Sequence, residues 1–188
     1  MNAALLIATV AALLAAGCSS TAQKSYFLEP DGPAPGGSGM LLGVGPIRIP
    51  DYLQRREIAI ETAPHELDYA YDHLWAGGLE QQISTALGQN LGRRLGTGSI
   101  HAYPWDSQTP VDYQVSVDIR RFHASEGGRA VLEAGWRIYD LKAKRIITSR
   151  SSTLEEALQG DGYGAATAAQ SRLISRLSTE IAAALRGH

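Results

Sequence analysis

The sequence predicts an α+β fold: a two-layer domain in which a mostly antiparallel sheet carries two amphipathic helices packed on one face. Three observations lead there. Leu79, Ile83, Leu87, Leu91 and Leu95 recur at every fourth position, the spacing of one buried helix stripe. From Tyr113 to Arg120, apolar Tyr113, Val115, Val117 and Ile119 alternate with Gln114, Ser116, Asp118 and Arg120, the period of a strand with one wet face. The overall order is strands, helix, meander, helix, which segregates the helices to one layer.

Taken in order, Ser25-Tyr26-Phe27-Leu28 is a short apolar piece. Residues 30–39 are Pro-, Gly- and Ser-rich and read as a loop or tether. Folded structure is expected from Met40, with a first strand through Ile47-Arg48-Ile49 and Pro46 at an edge or bulge. Glu57 to Thr62 alternates and makes a second strand. Asp68 to Tyr71 is a brief extended segment, and the first helix is expected from Trp75 to Leu95, ended by Gly96. Ser99 to Tyr103 is a short strand. The meander follows: the Tyr113 strand, a turn at Glu126-Gly127-Gly128-Arg129, a return strand with Ala130, Leu132, Ala134, Trp136 and Ile138 inward, a turn at 140–144, and a third strand from Arg145 to Thr153. A Gly-rich break at 160–164 opens the last helix, whose stripe is Ala166, Ala169, Leu173, Leu177, Ile181 and Leu185.

Residues 1–17 read differently. An apolar run from Ala3 to Leu14 precedes Ala15-Ala16-Gly17-Cys18, and Cys18 is the only cysteine. Such a run followed by small residues is a secretory signal, shorter than the ~20 residues of a membrane span. Small residues abutting a cysteine resemble the lipobox of a bacterial lipoprotein, which implies cleavage before Cys18 and acylation of its thiol and new amine. The expected organisation is a signal peptide over 1–17, lipidated Cys18 and a tether over 18–39, and one domain over 40–188. More than one acyl chain on Cys18 makes a stable anchor. With the thiol consumed, no disulfide can form, and stability rests on packing.

Composition narrows the function classes. Formal net charge is −2, so no basic excess attracts nucleic acid. The five histidines (His65, His73, His101, His123, His188) show no i, i+2 or i, i+4 pairing, and no metal site is expected; His123 and His188 read as solvated. No G-x-S-x-G occurs. Asp68, Asp72, Glu155 and Glu156 are carboxylates near turns without a defined partner. Gly160-x-Gly162-x-x-Ala165 matches a dinucleotide fingerprint as a string, but the chain ends with the helix it opens and no second strand follows. The sequence therefore gives no catalytic residue and no cofactor. Trp136 reads as core, Trp75 as a helix start that packs or faces a partner, and Trp105, between Pro104 and Asp106, as the most exposed aromatic.

Val44-Gly45-Pro46-Ile47-Arg48-Ile49-Pro50-Asp51-Tyr52-Leu53-Gln54-Arg55 resembles the "VGPV-x-[IL]-P-x-Y-L-x-R" stretch of the ABC-type transport auxiliary lipoproteins, the PqiC-like family. Ser25-Tyr26-Phe27-Leu28 stands where that family has an aromatic-rich piece after the lipid cysteine. Leu74-Trp75-Ala76-Gly77-Gly78-Leu79 and Ser178-x-x-Ile181-Ala182 resemble its Trp-containing helix start and terminal helix. Leu74 replaces an Arg common there, and Gly77-Gly78 a more helix-friendly pair. The resemblance implies a non-catalytic accessory of an MCE-type intermembrane lipid transport system, anchored on the inner leaflet of the outer membrane and facing the periplasm. Ser19 agrees with outer-membrane sorting. The implied partner is an MCE-domain transporter protein, with a possible homo-oligomeric ring. Pro46, Pro50, Tyr52, Leu53, Arg55, Trp75 and Trp105 are the expected partner-binding residues, although Tyr52 and Leu53 packing on their own core is the equal alternative for that segment. Two other function classes stand beside this one: a stand-alone periplasmic carrier with a lipid in its own cavity, and a periplasmic hydrolase.

Overall fold

The computed structural model describes residues 22–187. The leader, Cys18 and His188, with the readings placed on them, lie outside the described residues. Eight strands and two long helices follow in order: β1 (Lys24–Tyr26), β2 (Leu42–Arg48), β3 (Glu57–Ala63), β4 (Glu66–Trp75), α1 (Leu79–Leu95), β5 (Ile100–Ala102), β6 (Tyr113–Ser125), β7 (Arg129–Asp140), β8 (Arg145–Ala157) and α2 (Gly162–Arg186), with a 3-10 turn at Asp51–Leu53.

The α+β architecture is as the periodicities predict, and the long strand β6 is its spine. On one edge of β6, β7 and then β8 continue the antiparallel meander. The other edge carries two strands in tandem, both parallel to β6. β2 covers its first half, with Leu42 opposite Tyr113 and Arg48 opposite Asp118. β3 covers its end, with Ile60 opposite Ala124 and Glu61 opposite Ser125. β5 extends the sheet beside β2, while β4 and β1 extend it beside β3.

Both helices lie on one face. The α1 stripe Leu79, Ile83, Leu87 and Leu91 and the α2 stripe Ala166, Ala169, Leu173, Leu177, Ile181 and Leu185 are at most 3% exposed. They close on Val115, Val117 and Ile119 of β6 and Ala134, Trp136 and Ile138 of β7, all buried. The apolar area of the helices is thus spent on the core, the dominant favourable term of such a fold. Helix α1 ends as its glycine predicts. Gly96 takes φ +68°, its N–H donates to the Arg93 carbonyl, and the Thr97 N–H reaches back to the Gly92 carbonyl at 2.9 Å.

Four local expectations are corrected. Trp75 does not open α1. It is the buried last residue of β4, opposite Tyr26 of β1, and its N–H donates to the Arg56 carbonyl at 2.7 Å. Gly77, at φ +127°, and extended Gly78 break the chain before the helix starts at Leu79. β4 runs ten residues, not the four of Asp68 to Tyr71, because pairing with β3 and β1 holds its polar stretches extended. His123 is 5% exposed rather than solvated, for a reason given below. Trp105 is half-buried on β2, and Tyr103 beside it is the more exposed ring.

The Pro/Gly segment after β1 is irregular, as its composition predicts, but it is laid across both helices. The Leu28 N–H donates to Gln82 of α1 and the Glu29 N–H to Ser171 of α2. Asp31 accepts from Arg93 at 2.6 Å, from Arg94, and from Ser175 at 2.6 Å. Burial works to raise the Asp31 pKa, but the hydrogen bonds from Arg94, Ser175 and Arg93 outweigh it and hold the carboxyl well below the usual carboxylate range.

Candidate functional site

The face of the sheet away from the helices carries a polar groove. Strand alternation decides what lines it. Apolar partners point to the helices, so the intervening residues of β2, β6, β7 and β8 point outward. Register aligns them in rows: Arg48, Asp118, Gly135 and Ser151 in one, Ser116, Arg137 and Ser149 in the next, Gln114, Tyr139 and Ile146 in the last. A bulge between Ile119 and Arg121 adds Arg120 to the same face. The groove has a volume of about 620 Å³, and Pro46 and Arg150 also line it. Asp118 is its one acidic lining residue.

Arg93, Arg94, Arg121, Arg172 and Arg176 each pair with a carboxylate. In the groove, Arg48, Arg120, Arg137 and Arg150 form no ion pair within 4.0 Å among the described residues, as Arg56, Arg145 and Arg186 also do not elsewhere. Gly135 leaves the floor open, and a Cβ there would stand 3.2 Å from Nη1 of Arg120, which lies over it.

The Pro46–Arg55 segment has a structural task. It connects β2 to β3, which pair with the same edge of β6 and leave a gap between Asp118 and Ala124. The 3-10 turn drops Tyr52 into that gap. The Phe122 N–H donates to the Tyr52 hydroxyl at 3.1 Å, and the hydroxyl donates to Nδ1 of His123 at 3.0 Å. Nε2–H of His123 then donates to Glu61 Oε2 at 3.3 Å, and Arg121 joins Glu61 to Glu133. Burial lowers the His123 pKa from its ordinary 6.5 against the opposing hydrogen bond of Glu61. The folded state therefore holds the imidazole neutral, and the unfolded chain binds more protons below about pH 6.5. Stability from this site is full above that pH and declines as pH falls through it. Asp31, with its depressed pKa, adds a second loss below the ordinary carboxylate value of 3.8. Urea unfolding at pH 7.5, 5.5 and 3.5 should give falling stability, and His123→Gln should flatten the first step alone. A stability that rises between pH 7.5 and 5.5 would contradict the neutral imidazole.

The residues expected to meet a partner fall into two groups. Leu53 and Trp75 are buried, and Tyr52 is half-buried in the gap. Pro46 and Pro50 are half-buried at the surface. Arg55 is exposed, 3.6 Å from Glu57, with its guanidinium 4.3 Å from the centre of the Tyr69 ring. Trp105 lies on Gly43, where a Cβ would stand 2.5 Å from Cη2, and Tyr103 covers Gly45 in the same way. The two rings meet edge to face at 5.5 Å. Sequence reasoning placed Gln114, Ser116, Asp118 and Arg120 outward but missed that Arg48 and Arg137 stand beside them, because nothing local encodes the register of three strands. Gly160 and Gly162, of the dinucleotide-like string, lead into α2 behind Asp161, whose charge opposes a phosphate there.

Residues 26–182 match the model of a family described as ABC-type transport auxiliary lipoprotein component. The chain is 28% identical over 164 residues to the intermembrane transport lipoprotein PqiC of Escherichia coli K12, covering 84% of each protein, and equally to PqiC of Shigella flexneri. Its fold is shared by the crystal structure of an uncharacterized protein (TM-score 0.72, 24% identity, 88% of this chain and 99% of that one). It is shared also by protein XCC0632 of Xanthomonas campestris (TM-score 0.65, 19% identity, 84% and 92%).

Proposed function

The chain belongs to the family of ABC-type transport auxiliary lipoprotein components, and from that premise we propose that it is a non-catalytic docking subunit of an MCE-type intermembrane lipid transport system. The match over 26–182, together with the likeness to PqiC over most of both chains, carries the reading. In it, residues 1–17 are a signal peptide, Cys18 bears the lipid, and the domain faces the periplasm from the inner leaflet of the outer membrane. No described helix is long and apolar enough to cross a membrane, so attachment falls to the lipid.

The structure supports docking over enclosure of a lipid. Both helix stripes are spent on the core, leaving the helix-free face, the exposed guanidinium of Arg55 and the Tyr103–Trp105 loop as contact surfaces. These are mixed polar and aromatic surfaces of the kind found at interfaces between folded partners. Repetition in a homo-oligomeric ring would multiply modest contacts. The deciding measurement is co-purification of the full chain with an MCE-domain protein, followed by size-exclusion chromatography with light scattering. A monomer that ignores the MCE protein and retains lipid in a closed cavity would shift the reading to the stand-alone carrier.

Lipidation has its own test. Cys18→Ala should abolish incorporation of labelled palmitate and release the protein from the outer-membrane fraction, because thioether attachment needs the sulfur. Label retained by the variant would exclude Cys18 as the anchor.

A further inference from the structure

We propose that the groove on the helix-free face binds the phosphate of an amphiphilic phosphodiester, a glycerophospholipid headgroup. The phosphate follows from the groove itself; the lipid as its carrier rests also on the proposed transport role.

Arg48 and Arg137 flank β6 on neighbouring strands and are offset by two residues along it, so their Cα atoms stand about 12 Å apart. Arg120 comes from β6 between them and lies over Gly135. With Arg150, also in the lining, four guanidiniums with no carboxylate partner within 4.0 Å thus line one groove beside a single acid, Asp118. Elsewhere the fold pairs arginines that approach one another, as Asp31 does for Arg93 and Arg94. Unpaired cations gathered on one concave surface are mutually repulsive, and an anion entering there removes the repulsion. Arginine forks match phosphate oxygens in pairs. Ser116, Ser149 and Ser151 add hydroxyl donors along the same wall.

The other end of the groove decides what kind of phosphate. Tyr139 and Ile146 are opposite one another in register, and Pro46 stands nearby. Ile146 is 54% exposed, one of few large apolar side chains left in water. An inorganic anion or an acidic peptide has no use for this end. A phosphodiester with apolar substituents fills both ends. The volume of about 620 Å³ suits a headgroup and its glycerol, and the groove is open to solvent, so longer chains need not be enclosed. The groove also needs its glycine, because a large side chain at 135 would displace Arg120 and crowd the floor beside Arg137.

The test uses the full chain in a neutral detergent, titrated by thermophoresis with dihexanoyl-phosphatidylglycerol, inorganic phosphate, dihexanoylglycerol and a hexaglutamate peptide. The phospholipid should bind saturably and at least about tenfold more tightly than inorganic phosphate, with no saturable binding of the uncharged diglyceride. The triple change Arg48→Gln, Arg120→Gln, Arg137→Gln should weaken phospholipid binding at least about tenfold with an unchanged melting temperature, because these side chains are exposed and unpaired. Ile146→Ser should weaken the phospholipid and leave phosphate unaffected. Should the triple variant fail to fold, Gly135→Leu decides: it fills the floor without altering charge and should abolish binding. The proposal is overturned if the phospholipid does not saturate, if phosphate binds as tightly, if hexaglutamate binds more tightly than either, or if the groove variants keep wild-type affinity. Co-purification with an MCE protein is a separate readout, so loss of one reading leaves the other standing.

Discussion

Replacing Tyr52 by Ala should lower the stability of the domain by about 3–4 kcal/mol, roughly 10 °C in melting temperature for a chain of this size. Two losses add. The ring leaves a void where it closes the gap between β2 and β3, and the Phe122 N–H and His123 Nδ1 lose their partner in the core. Tyr52→Phe keeps the ring and removes only the hydroxyl, so it should cost about 1–2 kcal/mol. Arg55→Ala, on an exposed side chain with one loose ion pair, should stay within about 0.5 kcal/mol. Thermal unfolding of the three variants ranks them. If Tyr52→Ala melts like wild type while losing an MCE partner, the tyrosine is a contact residue and the gap-filling account fails.

Gly92→Ala is expected to destabilise by about 2 kcal/mol, although alanine is the better helix former by about 1 kcal/mol. Gly92 is buried in the last turn of α1. A Cβ there would stand 2.7 Å from the Thr97 carbonyl oxygen and 2.8 Å from the Pro35 ring. Neither neighbour can yield cheaply. Thr97 is fully buried, closes the helix through its N–H, and donates its hydroxyl to the Met40 carbonyl just before β2. Pro35 belongs to the segment laid across the helices. The change therefore strains the helix end, the strap and the entry to β2 together. A melting temperature equal to or above wild type would show that this packing is looser than its distances imply.

The two helices and the meander were readable because their information is local. A stripe of leucines every fourth residue, or an alternation such as Val115, Val117 and Ile119, states both element and buried face within a dozen residues. Other features depend on residues far apart in sequence. Nothing near Ile60 says that it lies parallel to Ala124, and nothing near Leu42 says that it shares that edge of β6. The same distance hid the surroundings of His123, which meets Tyr52 of the 3-10 turn and Glu61 of β3. Trp75 misled because it sits just before the helical stripe, while the Gly77-Gly78 break that separates it was outweighed by periodicity. The Pro46–Arg55 stretch was legible as a motif and illegible as a task. Its proline and tyrosine suit an interface, and they equally suit a turn that must deliver one ring into a gap of the sheet. Half of the arginine groove was legible, in the outward positions of β6; the other half waited on register.

The strap from Leu28 to Gly39 bears on the proposed anchor. If Cys18 carries a lipid, as proposed, then because β1 is paired from Lys24 and the following segment is held on α1 and α2, only the residues from 18 to 24 separate that lipid from the folded body. Drawn straight, that stretch reaches no more than about 20 Å. Under that proposal, a body on so short a leash would stay close to the bilayer. Whatever spans the rest of the distance between the membranes would then have to come to this protein, since the protein could not swing out to meet it.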